Sequence, residues 1–146
     1  MTVRVKRLDP RAKLPTYGSR EAAGADLYAL LPAGEAVIAA GTTVMIHTGI
    51  ATEIPTGYVG LVCARSGLAS KKGLAPANKV GVIDSDYRGE IIVALHNHSA
   101  EDAVIADGER VAQLLLVPYL TAELVEAETL SDTDRGAGGF GSTGRK

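Results

Sequence analysis

Short runs of apolar or alternating residues, separated by glycine- and proline-containing turns, recur along most of this chain of 146 residues. Eight such runs can be marked: 3–8, 25–31, 36–40, 42–50, 58–64, 90–97, 103–107 and 110–119. A sustained 3.6-residue apolar period is missing, and the best helical candidate is the short segment from Ser66 to Lys72. This spacing predicts an all-β sandwich or barrel and argues against a parallel βα sheet.

Length, composition and charge limit the class of protein further. A chain of this length with 46% hydrophobic residues can bury one core. The formal charge of -2 does not provide the broad positive field of a protein that binds polymeric nucleic acid. The first residues lack a signal-peptide core, and no apolar run approaches the ~20 residues of a membrane span. We therefore expect a soluble cytoplasmic protein with one β domain, residues 1–130, and an arm, residues 131–146.

That arm reads SDTDRGAGGFGSTGRK and shows no apolar periodicity. Composition alone favours a disordered terminus, because such a segment buries too little surface to hold itself on a core. Its order of residues favours a second interpretation. Glycines that free the backbone, Arg135 as a planar cation, Phe140 as a stacking face and the hydroxyls of Ser142 and Thr143 suit a nucleotide.

Two overlapping GxGxxG matches, 136–141 and 139–144, also lie in the arm. Neither fits a Rossmann fingerprint, which needs a following helix to receive the pyrophosphate. A phosphate-binding Walker loop is also excluded, because Arg145 stands where its lysine should be.

The histidines and the single cysteine give weaker signals. His96 and His98 lie on one face of a predicted strand end and could supply two metal ligands, although two ligands alone do not make a site. His47 stands alone in its run, and a structural role is the simpler interpretation. Cys63 lies in the apolar run YVGLVCAR with no activating base nearby in the sequence, which indicates a structural thiol.

Three aspartates and one basic segment are better candidates for chemistry. Asp26, Asp84 and Asp86 could activate a water or hold a hydrated magnesium ion. The segment from Asp84 to Gly89 is equally good turn chemistry. Arg65-Ser66-Gly67 allows two interpretations as well, a strand exit before a helix or a contact to phosphate.

Taken together, these segments resemble the five ordered motifs of the trimeric dUTPase family. They are AAGADLYA, ARSGLA, NKVGVIDSDYRGEI, RVAQLLLVPY and RGAGGFGSTG, in that order along nearly the whole chain. The resemblance implies a jelly-roll-like β fold that assembles as a homotrimer with sites at subunit interfaces. It also implies hydrolysis of dUTP to dUMP and pyrophosphate with Mg²⁺, which keeps uracil out of DNA and supplies dUMP for thymidylate synthesis.

The resemblance further implies roles for individual residues. Asp84 would orient and deprotonate the water that attacks the α-phosphorus, and Asp26 would position the metal through a water. The implied phosphate contacts are Arg65, Ser66, Gly67 and Gln113.

The nucleoside would be read by a hairpin from Asn78 to Tyr87, whose asparagine and backbone, including Val82 and Ile83, face the uracil edge. Tyr87 would pack under the sugar and exclude a 2′-hydroxyl. From the arm, the implied contacts are Arg135 to the terminal phosphate, Phe140 over the uracil, and Gly141, Ser142 and Thr143 around the γ-phosphate.

Two other functions remain open at this stage. A dCTP deaminase would share the fold, but its family differs around the second motif and lacks the glycine-rich arm. A catalytically silent β module that binds a nucleotide or a protein partner is the alternative from another class, although nothing in the sequence supports inactivation.

Overall fold

Twelve β-strands and one α-helix follow one another within residues 1–139, the part of the chain that this computed structural model describes. The elements are β1 (Arg4–Arg7), β2 (Thr16–Tyr17), β3 (Ala25–Tyr28), β4 (Glu35–Ile38), β5 (Thr43–His47), β6 (Ile50–Glu53), β7 (Tyr58–Cys63), α1 (Ser66–Lys72), β8 (Leu74–Pro76), β9 (Gly81–Ile83), β10 (Ile92–Asn97), β11 (Ala103–Ala106) and β12 (Arg110–Pro118). None of the helical structure in residues 1–139 is long and apolar enough to cross a membrane.

The strands form four antiparallel sheets, which confirms the predicted all-β class. The largest has the order β2-β3-β12-β7-β9, and the second has the order β5-β10-β8. Two pairs, β1-β6 and β4-β11, complete the framework. Neighbouring strands in these sheets are often distant in sequence, so crossover connections tie the sheets into one core.

The core lies between the sheets and follows the alternation seen in the sequence. In β10, Val93, Leu95 and Asn97 are buried, while the two residues between them are partly exposed. Leu27 and Val111 contribute fully buried side chains from the largest sheet. The two-residue period of a strand explains this pattern, because successive side chains point to opposite faces.

The predicted helix is confirmed as α1, over the same residues. Arg65 precedes it in an extended conformation, and Gly73 ends it with φ of 65°. The Gly73 N–H donates to the carbonyls of Leu68 and Ala69, which is the usual way that a left-handed glycine closes a helix. Leu68 is its buried residue, so this single apolar contact anchors a helix too short to be stable alone.

The predicted strand 42–50 is wrong as one unit, because β5 ends at His47 and β6 begins at Ile50 and continues to Glu53, beyond the predicted run. Gly49 lies between them with φ of 68°, a conformation that favours glycine and turns the chain. Two short strands, β2 and β8, were not predicted. The first has two residues, too few to show alternation, and the second ends in a proline, which lowers strand propensity.

The predicted hairpin from Asn78 to Tyr87 also needs correction. The chain does reverse there, through a tight turn in which the Val80 N–H donates to the Asn78 carbonyl at 2.7 Å. The arms of this reversal pair elsewhere, β8 with β10 and β9 with β7. The segment therefore connects two sheets, and β9 becomes an edge strand of the largest one.

Asn97 is a fully buried polar residue whose side chain satisfies four hydrogen bonds. Its Nδ2 donates to the carbonyls of Ile38 at 2.9 Å and Glu101 at 2.8 Å. Its Oδ1 accepts from the Ser99 N–H at 2.9 Å and the Ser99 hydroxyl at 2.7 Å. The side chain thus joins the end of β10 to β4 and to the loop before β11.

We expect Asn97→Ala to lower the free energy of unfolding by about 2–4 kcal/mol, because it leaves buried carbonyls and an N–H without partners. Urea unfolding followed by circular dichroism measures this. Asn78→Ala, at an exposed position, is the matched control and should change stability by less than about 0.5 kcal/mol. Equal effects of the two substitutions would contradict the structural role of Asn97.

Candidate active site

Asp26, in the middle of β3, is a buried carboxylate that two arginines hold. Its Oδ1 accepts from Arg65 Nε at 2.7 Å and its Oδ2 accepts from Arg110 Nη1 at 3.1 Å. Only 7% of the residue is exposed, so the two guanidinium groups supply the charge compensation that a buried carboxylate needs. Each carboxylate oxygen retains lone-pair capacity for a water or a metal-bound water.

Gln113 lies beside Asp26 on the neighbouring strand. The register pairs Gln113 of β12 with Asp26 of β3 on one side and with Cys63 of β7 on the other. Its Nε2 donates to the Ala64 carbonyl at 2.9 Å. A side chain at Gly24 would collide with Gln113, since a Cβ there would lie 3.1 Å from both its Cβ and its Cδ. Gly24, which has no side chain, therefore leaves the space that the Gln113 side chain occupies.

Arg65 connects the paired residues Asp26, Gln113 and Cys63 to the start of α1. The strand β7 ends at Cys63, the chain stays extended through Arg65, and α1 begins at Ser66. Ser66 and Gly67 are exposed, and no side chain caps the first turn of the helix. The Ser66 hydroxyl and the first N–H groups of α1 thus belong to an exposed, uncapped segment that directly follows Arg65 in the chain. The structure brings together Asp26, Arg65, Ser66, Gly67 and Gln113 as one group, which we call the phosphate-side cluster.

Glu109 adds a second acidic group near this cluster. Its Oε1 accepts from Lys72 Nζ at 2.8 Å, and its Oε2 accepts from the Ala106 N–H at 3.1 Å. Burial, the strongest single influence, favours the neutral acid. The two hydrogen bonds and the charges of Lys72 and Arg65 together outweigh it and hold the pKa of this carboxyl below its usual value. This ion pair ties α1 to the turn before β12.

The residues assigned to the nucleoside lie on and around β9. Asn78, Val82, Asp84 and Tyr87 are exposed, with 62% of Val82 and 44% of Tyr87 accessible to solvent, and Ile83 is half-buried. The Tyr87 N–H donates to the Asp84 carbonyl at 3.2 Å, which closes a turn after the strand. These residues form an open edge of the largest sheet, which we call the nucleoside-side edge.

The phosphate-side cluster and Asp84 are well separated within one chain. Asp26 and Asp84 are three strand spacings apart across the largest sheet, roughly 14 Å at the usual interstrand distance. They are also offset by about four residues along the strands, roughly 13 Å, because Ile83 pairs with Gly60 while Cys63 shares the row of Asp26. One chain therefore does not bring its two candidate catalytic aspartates to the same reacting atom.

The arm falls partly outside the described residues. Arg135 is exposed, and its Nε donates to the Gly138 carbonyl at 2.8 Å, a contact within the arm itself. Phe140, Gly141, Ser142 and Thr143 lie outside the described residues. Within residues 1–139 the last strand ends at Pro118, and the chain from Tyr119 to Leu130 is exposed without strand or helix.

Among the weaker sequence signals, His96 and His98 contact each other at the end of β10, whereas Cys63 lies beside the cluster because its backbone pairs with Gln113. The rings of His96 and His98 meet at 4.4 Å between centroids, and His96 Nδ1 lies 2.9 Å from the Thr43 hydroxyl. Desolvation, followed by the charges of His96 and Lys79, lowers the pKa of His98. Within residues 1–139 no group of three or more histidine, cysteine, aspartate or glutamate side chains is placed to hold a metal. Cys63 is half-buried and unpaired.

Sequence reasoning missed the partners that shape the cluster. Arg110 contacts Asp26 from 84 positions away in the chain, so no local pattern could pair them. Gly24 sits two residues before Asp26, but its role depends on Gln113 on another strand. The signal for Arg110 was its place at the start of the fourth motif.

Comparison with known proteins decides the family. The dUTPase family model matches residues 10–144. The chain belongs to the dUTPase family. It is 49% identical to the deoxyuridine 5′-triphosphate nucleotidohydrolase of Syntrophotalea carbinolica, an alignment that covers 99% of this chain and 97% of that protein. The protein of the same name from Desulfitobacterium hafniense DCB-2 is 54% identical, with 94% and 91% covered.

Solved structures of the family share the fold. The dUTPase of Staphylococcus bacteriophage 80alpha with dUPNHPP superposes with a TM-score of 0.88 at 32% identity, and the match covers 98% of each chain. A mutant dUTPase from phage phi11 of S. aureus, described with a structural Mg(II) ion, gives a TM-score of 0.78 at 28% identity, covering 88% of this chain and 98% of that one. These likenesses confirm the jelly-roll-like β fold that the dUTPase motifs predicted.

Proposed function

We propose that this chain hydrolyses dUTP to dUMP and pyrophosphate. Membership of the dUTPase family, over nearly the whole chain, is the observation that carries this proposal. The phosphate-side cluster adds chemical support, since it combines an arginine, an amide, a hydroxyl and exposed backbone N–H groups on one surface. A triphosphate needs such positioned cations and donors more than it needs a covalent nucleophile.

In this proposal the phosphate-side cluster binds the triphosphate. Arg65 donates from Nε to Asp26 and from Nη1 to the Arg110 carbonyl at 3.5 Å, and it can direct its other N–H groups to phosphate oxygens. Ser66 and Gly67 offer a hydroxyl and N–H groups that no side chain caps. Gln113 has a half-buried amide whose position is fixed by Ala64 and by the space at Gly24. These groups would stabilise the charge that builds up on the phosphate during hydrolysis.

Asp84 is the proposed base. It is exposed at the end of β9, so a water and a phosphate can reach its carboxylate. It would accept a proton from the water that attacks the α-phosphorus, while pyrophosphate leaves on the opposite side. Asn78, the backbone of Val82 and Ile83, and Tyr87 would bind uracil and deoxyribose beside it, and the arm from Arg135 to Thr143 would cover the nucleotide.

Mg²⁺ is the proposed cofactor, and the residues fit a lightly held ion. Asp26 is the carboxylate of the cluster, and residues 1–139 offer no larger acidic group that would form a dense cage. Magnesium often binds through one or two carboxylates, its own waters and substrate phosphates. When bound, the ion would neutralise phosphate charge, and Asp26 would hold one of its waters.

A homotrimer with shared sites is the proposed assembly. The roughly 19 Å between Asp26 and Asp84, estimated from strand spacing and register, is too far for both to act on one phosphate from a single chain. A cyclic arrangement would place the nucleoside-side edge of one subunit against the phosphate-side cluster of the next. Each active site would then combine the phosphate-side cluster of one subunit with the nucleoside-side edge of another.

Mixing two inactive variants tests this sharing. Arg65→Gln removes the proposed phosphate-binding cation, and Asp84→Asn removes the proposed base. If each site draws these residues from different subunits, co-refolding equal amounts should restore about one quarter of parent activity, because one site in four is then intact. The control combines the same variants after separate refolding. No recovery in a co-refolded mixture that forms trimers, as measured by light scattering, would contradict the shared site.

A panel of nucleotides tests the activity itself. We expect pyrophosphate release from dUTP at least about 100-fold faster than from UTP or dCTP, because a site built for one base and sugar rejects the others. Removing Mg²⁺ with EDTA should lower the rate and added Mg²⁺ should restore it. Ammonia release from dCTP would instead identify the deaminase alternative, and no release from any nucleotide would favour a silent binding module.

A further inference from the structure

Tyr87 is held in place by the two residues at positions 89 and 90. Its hydroxyl donates to the Glu90 carbonyl at 3.0 Å, so the ring folds back over the intervening backbone. A methyl group at Gly89 would come within 2.5 Å of the ring carbon Cζ and 2.9 Å of Cε2. Gly89 is not among the glycines with positive φ. A side chain is thus excluded there by the Tyr87 ring, and the backbone conformation would accept one.

The Glu90 side chain fixes the segment that carries the accepting carbonyl. Its Oε1 accepts from the Thr48 N–H at 3.1 Å and the Gly49 N–H at 2.7 Å. Its Oε2 lies 2.9 Å from His47 Nδ1. One carboxylate therefore satisfies the turn between β5 and β6 and attaches it to the chain beside Tyr87.

The next residue anchors the same segment in the core. Ile91 is fully buried, and its N–H donates to the Ile50 carbonyl at 2.9 Å. The Thr48 hydroxyl donates to the Ile91 carbonyl at 2.5 Å. Residues 90 and 91 are consequently joined to residues 48–50 by both side-chain and backbone bonds. The Tyr87 hydroxyl is tied to a rigid part of the fold, although 44% of the residue is exposed.

We propose that Gly89 and Glu90 are positioning residues that hold the Tyr87 ring where it discriminates deoxyribose from ribose. This inference rests on the proposed function, in which Tyr87 packs under the sugar. Steric exclusion of a single 2′-hydroxyl requires the Tyr87 ring to stay in a fixed position, because a ring free to rotate would move aside for a ribonucleotide. Gly89 leaves room for the ring to lie against the backbone. The Glu90 side chain fixes the segment whose carbonyl accepts the hydrogen bond of the Tyr87 hydroxyl.

Gly89→Ala tests the first half of the proposal. The added methyl must displace the Tyr87 ring, so the ratio of kcat/KM for dUTP to that for UTP should fall by about tenfold or more. Gly18→Ala is the matched control, because Gly18 is exposed, has no positive φ and has no atom within 4 Å of an added Cβ. That control should keep the parent ratio.

Glu90→Ala and Glu90→Gln test the second half. Alanine removes every acceptor for the Thr48 and Gly49 N–H groups, so selectivity should fall as in Gly89→Ala. Glutamine keeps one carbonyl oxygen for these donors and should restore most of the parent ratio. A purely structural role would lower the rates for dUTP and UTP together and leave their ratio unchanged.

A double-mutant cycle shows whether Gly89 acts through Tyr87. In a Tyr87→Ala background, Gly89→Ala should change the selectivity ratio by less than about twofold, because the ring that it displaces is gone. An unchanged ratio in Gly89→Ala alone would overturn the proposal. An equally large fall in the Tyr87→Ala background would overturn it as well.

Nuclear magnetic resonance of ring-labelled tyrosine separates this inference from the proposed hydrolysis. The Tyr87 signal, assigned with Tyr87→Phe, should shift in Gly89→Ala and Glu90→Ala but not in Gly18→Ala. Titration with dUMP and UMP then measures sugar discrimination without turnover. If the parent hydrolyses neither triphosphate, the proposed function fails, whereas an unshifted Tyr87 signal or equal binding of dUMP and UMP by the parent overturns the positioning role.

Discussion

Replacing Asp84 with asparagine should lower kcat for dUTP by about 10³-fold while leaving nucleotide affinity nearly unchanged. Asparagine has the shape of aspartate but cannot accept the proton of an attacking water. The substitution should spare the local fold, because the Asp84 carboxylate makes no hydrogen bond to residues 1–139, while its backbone carbonyl accepts from the Tyr87 N–H at 3.2 Å and is unchanged by the substitution. Pyrophosphate release measures kcat, and titration with the nonhydrolysable analogue dUPNHPP measures affinity.

Asp86→Asn is the matched control for Asp84→Asn. Asp86 is also exposed, lies in the same turn and carries the same charge. Loss of charge alone would lower the activity of both variants by similar factors, whereas loss of the base affects Asp84→Asn selectively. Full turnover in Asp84→Asn, or equal losses in the two variants, would remove Asp84 from its proposed role.

Local sequence patterns were sufficient to predict most of the framework. Alternating residues such as those of β10 mark a strand with one buried face, and this signal needs no knowledge of the partner strands. The predicted helical segment from Ser66 to Lys72 coincides with α1, and the structure shows that Gly73 ends it in a left-handed conformation. The short strands β2 and β8 escaped prediction, since a two-residue period is not expressed over two or three residues.

The arrangement of the candidate site depends on contacts between distant parts of the chain. Asp26 was predicted as a functional carboxylate, yet its two arginine partners lie 39 and 84 positions away. Gly89 looked like ordinary turn chemistry, and only the folded position of Tyr87 shows why a side chain is excluded. The motifs named the candidate residues, but the separation of these residues across the largest sheet depends on strand order and register.

Ending the chain after Asp134 should leave a folded protein with kcat/KM for dUTP lowered by about 100-fold or more. The described part of the arm contributes little to the core, because it contains no strand or helix and its Arg135 and Gly136 donate hydrogen bonds to other residues of the arm. Thermal unfolding should accordingly shift by less than about 2 °C. The predicted loss of activity follows from removing Arg135, Phe140 and the Gly141–Thr143 segment from the bound triphosphate.

A shorter truncation gives this prediction its control. Ending the chain after Gly144 removes Arg145 and Lys146 but keeps the whole fifth motif, so activity should stay within about twofold of the parent. If the arm closes over the nucleotide, binding of dUPNHPP should protect it from proteolysis in this control, since ordering a segment removes it from protease attack. A protein ending at Asp134 with full activity would show that the arm is not a lid. Because the dUTPase family assignment rests on residues 10–144 and mostly on the β domain, it would survive that result.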